Sequence, residues 1–126
     1  MPSYWVVPVV EGNYLTCRDF GIFGVKAKEK WIVSKVRPGD VLVFYVPRKS
    51  CRSMCTSFVG AYEVVGDWFE EDKPLWPDER ELGKAVYTLR VRIKPIAEGL
   101  VRAEELINEL SFIRNKSKWA FFLMGT

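Results

Sequence analysis

Three groups of side chains in this 126-residue chain have the types and spacing to do chemistry. The first is aromatic. Gly21-Ile22-Phe23-Gly24-Val25 brackets a ring between glycines, and Trp68 and Trp76 lie in an acidic stretch that a disordered linker would rarely hold. Rings in such segments can stack on a flat ligand, each base-on-ring contact being worth about 1–3 kcal/mol. The second group is basic: Lys26, Lys28 and Lys30, then Arg48, Lys49 and Arg52, then Arg114, Lys116 and Lys118, all in expected loops or short helices and suited to phosphates. The third is acidic. Glu63, Asp67, Glu70, Glu71 and Asp72 have the chemistry to hold a divalent cation or to act as an acid and base pair, but their density reads as a repelling, solvated loop.

Composition narrows these options. The chain has no histidine, which removes the side chain most used for proton transfer near neutral pH and the commonest transition-metal ligand. Cys17, Cys51 and Cys55 are too few for a zinc site made of cysteine alone, although Cys51 and Cys55 could pair with each other. No Gly-rich phosphate loop or nucleophile elbow occurs, so neither a catalytic residue, a metal site nor a cofactor is expected. The net charge of +3 conceals a division: residues 63–81 carry eight acids against two bases, a segment charge of −6, and the remainder sums to +9. That excess attracts polyanions over roughly one Debye length, about 8–10 Å. Eighteen aromatic residues are more than any single site can use, so most belong to a core. The absence of glutamine and the scarcity of asparagine match a bias of proteins adapted to heat. No apolar run is long enough to span a bilayer, and Met1-Pro2-Ser3 does not open a signal peptide, so a cytoplasmic location is expected.

The elements that must position these groups follow from periodicity. Residues 4–10 read as a strand with Pro8 at an edge or bulge, residues 11–19 as a weak helix, and residues 21–25 as a loop. Residues 27–36 form a short amphipathic stretch, ended by the Arg37-Pro38-Gly39-Asp40 turn. Residues 41–46 are apolar throughout and read as a central strand. Residues 58–65 make its antiparallel partner, with a bulge at Gly60. The acidic stretch 66–83 is irregular with apolar anchors. Residues 86–96 alternate Tyr87, Leu89, Val91 and Ile93 on a core face with Thr88, Arg90, Arg92 and Lys94 on a basic face. A helix over 102–110 precedes a loop and a last strand within 112–123. Strands pairing mostly with near neighbours favour a small mixed barrel over a layered parallel sheet.

The ordered set Tyr4-Trp5, Phe23-Gly24-Val25, Val36-Arg37-Pro38-Gly39-Asp40, Val43-Phe44-Tyr45, Val59-Gly60-Ala61-Tyr62-Glu63-Val64, Tyr87 to Pro95, and Phe112-Ile113-Arg114-Asn115-Lys116 resembles an EVE domain of the PUA-like superfamily, related to YTH domains, in its short archaeal form. The resemblance covers nearly the whole chain. It implies an α+β pseudo-barrel of five to six strands with short peripheral helices, residues 1–126 forming one domain. It also implies a binding module that reads a modified base of RNA or DNA flipped into an aromatic-walled pocket. Carried over by position, the pocket comprises Pro8, Val9, Phe23, Gly24, Val25, Trp76 and Asn115, with Trp68 as a substitute for Trp76. Phe23 stands where the family often has tryptophan. The phosphate contacts would be Lys26, Lys28, Arg48, Arg114, Lys116 and Lys118. The partner is then nucleic acid, with no membrane and no metal, and the protein a monomer or weak dimer. Two rival readings remain: a hydrolase acting on nucleic acid or nucleosides, and a protein-interaction module anchored by Trp68 and Trp76.

Overall fold

The computed structural model describes residues 3–49, 51–102 and 119–120. In chain order the elements are β1 (Tyr4–Pro8), α1 (Glu11–Phe20), β2 (Ile22–Val25), a 3-10 turn (Ala27–Glu29) running into α2 (Lys30–Lys35), β3 (Val41–Val46), β4 (Ser57–Val64), β5 (Phe69–Glu70), α3 (Pro77–Leu82), β6 (Leu89–Arg102) and β7 (Trp119–Ala120). Six strands follow the path β2-β6-β4-β3-β1-β7, and the two-residue β5 pairs with β6 beside it. β1 runs parallel to β3 and β7, while the other pairings are antiparallel. The result is a curled, mixed half-barrel with three short helices, the α+β class expected from the sequence.

Alternation builds the interior. β1 turns Trp5 and Val7 inward, and β3 buries Leu42, Phe44 and Val46. β4 changes face between Val59 and Tyr62, where its register with β6 slips near Gly60. A bulge of this kind re-aims side chains. Here it brings the Tyr62 hydroxyl to 2.9 Å from that of Tyr14, which also donates to the Val59 carbonyl at 3.0 Å. The turn before β3 works through Gly39, whose φ of +94° other residues rarely adopt. Asp40 then fastens the turn to β1: its carboxylate accepts from the Arg37 and Ser3 N–H groups and from the Trp5 indole N–H at 3.1 Å.

Three expectations change. The Gly-bracketed segment is the strand β2, with Phe23 opposite Val91 and Gly24 opposite Arg90, because the long β6 offers its ladder beyond the reach of β4. Arg90, placed by alternation on a basic outer face, is buried. α3 and β5 shelter it, which a two-residue period cannot anticipate. β6 continues through Arg102, where the last helix was expected to begin; the rest of that helix lies outside the described residues.

Candidate nucleic-acid interface

β2, α1 and the segments leading into α1, α3 and β6 meet at one crevice lined by Val9, Asn13, Cys17, Phe23, Gly24, Trp76 and Tyr87. Four residues expected to form the pocket, Val9, Phe23, Gly24 and Trp76, are therefore brought together. Val25 is buried next in β2, and Pro8 ends β1 half-buried, immediately before Val9. Asn115, Arg114, Lys116 and Lys118 lie outside the described residues. Asn13, Cys17 and Tyr87 were not anticipated. Asn13 and Cys17 stand four apart on α1, a spacing that puts them on one helical face, and Tyr87, on the core face of the alternation read over 86–96, lies just before β6.

The crevice has room for about 10 Å³, the size of one water molecule. An open hollow able to take a base is not what these walls enclose. The reason is the Trp76 indole, which lies against the Gly24 backbone. A β-carbon at Gly24 would stand 2.5 Å from the ring, so only glycine allows this approach. Tyr87 meets the indole edge-on at 5.4 Å between centroids, the Arg90 guanidinium covers it at 4.9 Å, and its N–H donates to Cys17 Sγ at 3.2 Å. Burial pushes the Cys17 thiol up to about 12, against the lowering effect of that hydrogen bond, so it is an unreactive neutral thiol at physiological pH. Phe23 is 1% exposed and packs edge-on against Phe44 and Trp68. Trp68 is not part of the crevice lining and donates its N–H to the Val36 carbonyl at 2.9 Å.

Glu79 holds Trp76 in place. The acidic stretch read as solvated contains this fully buried carboxylate, which accepts the N–H groups of Leu75 and Trp76 on one side and of Val86 and Tyr87 on the other. Arg90 Nη2 lies 3.5 Å away, and the same guanidinium donates to the Tyr87 and Lys73 carbonyls. A carboxylate buried with this many donors replaces its lost hydration. Asp78, the next residue back, accepts from the Asn13 amide at 3.1 Å and from the Tyr87 hydroxyl, joining α1 to α3. Beyond that link, Asn13 and Asp78 also line a wider groove of about 730 Å³ with Glu11, Arg52, Pro77 and Glu81.

The basic groups divide. Lys28, Lys30, Lys35, Arg48, Lys49 and Arg52 are exposed, and Lys26 is half-buried. Lys30 lines a cavity of about 510 Å³ together with Glu70, Glu71 and Asp72. Cys51 and Cys55 are joined by a disulfide, Cα to Cα 5.2 Å. The loop they close is pinned from below by Glu11, whose Oε1 accepts from the Arg52, Ser53 and Met54 N–H groups at 2.9, 3.0 and 2.8 Å. These bonds, that from Arg52 first, hold the Glu11 carboxyl below the usual carboxylate range. Among the described residues no cluster of three or more His, Cys, Asp or Glu could hold a metal ion, and no helix is long and apolar enough to cross a membrane.

Comparison with known proteins places this geometry. A family profile described as the EVE domain matches residues 3–124. A UPF0310 protein of the archaeon Pyrococcus abyssi is 34% identical over 125 residues, covering 98% of this chain and 87% of the relative. Among solved structures, the YTH domain-containing protein Mmi1 in complex with RNA superimposes with a TM-score of 0.60 at 18% identity, over 88% of this chain and 65% of that one. The YTH domain of Zygosaccharomyces rouxii MRB1 in complex with N6-methyladenosine RNA gives 0.55 at 15% identity, over 82% and 63%. This chain thus spans slightly less than two thirds of these two YTH chains, and at these identities the likeness is one of fold.

Proposed function

The chain belongs to the EVE domain family, and from that premise we propose that it is a one-domain nucleic-acid-binding module, not an enzyme, that takes a modified base into the Phe23–Trp76 crevice. The observation that carries this reading is the convergence of Val9, Phe23, Gly24 and Trp76, residues from three separate stretches of sequence, on one crevice of a fold shared with domains solved with RNA.

With space for only one water, the crevice must open to admit a base. The Trp76 indole has to swing from Gly24, breaking its bond to Cys17 and its stacking against Arg90. The groove beyond the Asn13–Asp78 link gives the approach. Its carboxylates Glu11, Asp78 and Glu81 repel phosphate, so an uncharged base enters while the backbone stays with the exposed cations. An extruded base gives up stacking of a few kcal/mol. Phe23 and the displaced Trp76 return about 1–3 kcal/mol each. Phosphate contacts from Lys26, Lys28 and Arg48, and from Arg114, Lys116 and Lys118, supply the rest. Asn115 completes the pocket in this reading, with Pro8 and Val25 as outer walls.

The test is titration of intrinsic tryptophan emission with matched short oligonucleotides, RNA and DNA, with and without a base methyl group. The methylated strand is expected to bind about 10- to 200-fold more tightly. Phe23→Leu, which keeps apolar volume and removes the flat ring, should reduce that ratio while the protein stays folded by circular dichroism. Equal affinity for methylated and plain strands overturns the reading.

A further inference from the structure

Of the large hydrophobic residues exposed among those described, the one tryptophan stands in a basic setting. Trp31 is 44% exposed on α2, whereas Phe20, Val65, Leu82 and Ile96 lie elsewhere in the chain. The stretch 26–37 carries Lys26, Lys28, Lys30, Lys35 and Arg37 against the single acid Glu29. Spacing selects which cations share the indole's face. Lys35 is four residues after Trp31 on α2, a separation that puts helical side chains side by side, and Lys28 stands in the 3-10 turn three residues before it; both lysines are exposed. Lys30 turns toward the cavity of Glu70, Glu71 and Asp72, where its charge is opposed. At about 1.5 Å per residue Lys35 stands roughly 6 Å along the axis of α2 from Trp31.

A surface indole flanked by cations at both ends matches a strand of nucleic acid in chemistry: one flat apolar face between two negative charges. Only an unpaired base has a face free to stack, because in a duplex both faces are covered by neighbours. The strip also begins where the crevice ends. β2 closes at Val25, directly after Gly24 of the crevice lining, and the 3-10 turn starts two residues later.

Resting on the nucleic-acid reading above, we propose that Trp31, with Lys28 and Lys35, is a stacking platform for a single-stranded segment flanking the base read in the crevice. The platform adds affinity without regard to which base it meets, since every base presents a ring face. It makes the module select single strands over duplexes.

The experiment is fluorescence anisotropy of a labelled ten-nucleotide single strand and its duplex, at several salt concentrations. The proteins are wild type, Trp31→Ala, Trp31→Phe, Lys28→Gln/Lys35→Gln and the control Leu82→Ala. Wild type is expected to prefer the single strand. Trp31→Ala should weaken single-strand binding about tenfold, with Trp31→Phe retaining most of it and Leu82→Ala all of it. The double lysine variant should flatten the log–log salt slope by about 1.4, near 0.7 for each phosphate no longer neutralised. Platform and crevice fail separately. If Trp31→Ala binds like wild type while Phe23→Leu loses its methyl discrimination, the platform is overturned and the crevice stands. If Trp31→Ala loses affinity in proteins that never discriminate the methyl group, the platform stands and the crevice falls. Absence of binding to any oligonucleotide, or equal binding of a polyglutamate chain, overturns the platform.

Discussion

Trp76 and Trp31 are the same residue in opposite circumstances. Trp76 is 1% exposed, laid on a glycine backbone and held by a thiol, a guanidinium and a buried carboxylate that fixes its backbone. Trp31 is 44% exposed on a short helix between lysines. One ring is part of the interior and reaches a ligand only by leaving it. The other already shows part of its surface to water. The difference teaches that an aromatic residue in a polar stretch does not declare its role by type: Trp76 sits in the most acidic part of the chain yet is core, while Trp31 sits in an amphipathic stretch yet faces out.

The contrast breaks most severely at Glu79. Glu79→Ala strands Arg90 and leaves four backbone donors without their carboxylate, so stability should fall by about 5 kcal/mol, read by urea unfolding. A loss under 1 kcal/mol would mean that the segment carrying Trp76 is held by something else. Next comes the ring itself. Trp76→Ala should cost about 3–4 kcal/mol, and millimolar indole should restore part of it by refilling the space, seen as a rise in melting temperature absent in wild type.

A smaller effect is expected from pH at the loop beside the groove. Because the folded-state pKa of Glu11 is depressed, its contribution is complete above the unfolded value and drains as pH falls through the lower folded one. Stability should therefore decline below about pH 4. Glu11→Gln should remove that part of the decline, measured by unfolding at pH 7 and pH 3. The smallest effect is at the exposed ring: Trp31→Ala should leave stability within about 0.5 kcal/mol of wild type. A loss of several kcal/mol there would erase the contrast and make Trp31 a second core residue.

Local pattern made most of the scaffold legible. The apolar run 41–46 is the inner strand β3, the Pro-Gly-Asp turn precedes it with Gly39 at positive φ, and the alternation from Val91 to Lys94 marks the core face of β6 at Val91 and Ile93. The ordered motifs pointed to the EVE family, and the chain belongs to it. Burial of individual polar groups was not legible. Arg90 followed the outward parity of its strand and Glu79 sat in a run of solvated acids, yet the two pair inside. Each alone is costly to bury. Together with the backbone donors around them they are satisfied, and that joint condition has no local signature.

By itself the sequence determined which strands could form, where the chain turns, and that its surplus positive charge lies outside residues 63–81. Periodicity and composition are properties of neighbouring residues, and neighbours suffice to express them. Tertiary structure alone decided that the expected pocket residues Val9, Phe23, Gly24 and Trp76 meet, and that their meeting place is filled. Whether a cavity is open depends on the volume of a side chain arriving from more than fifty residues away. The absence of a β-carbon at Gly24 is what lets the indole of Trp76 come to rest there.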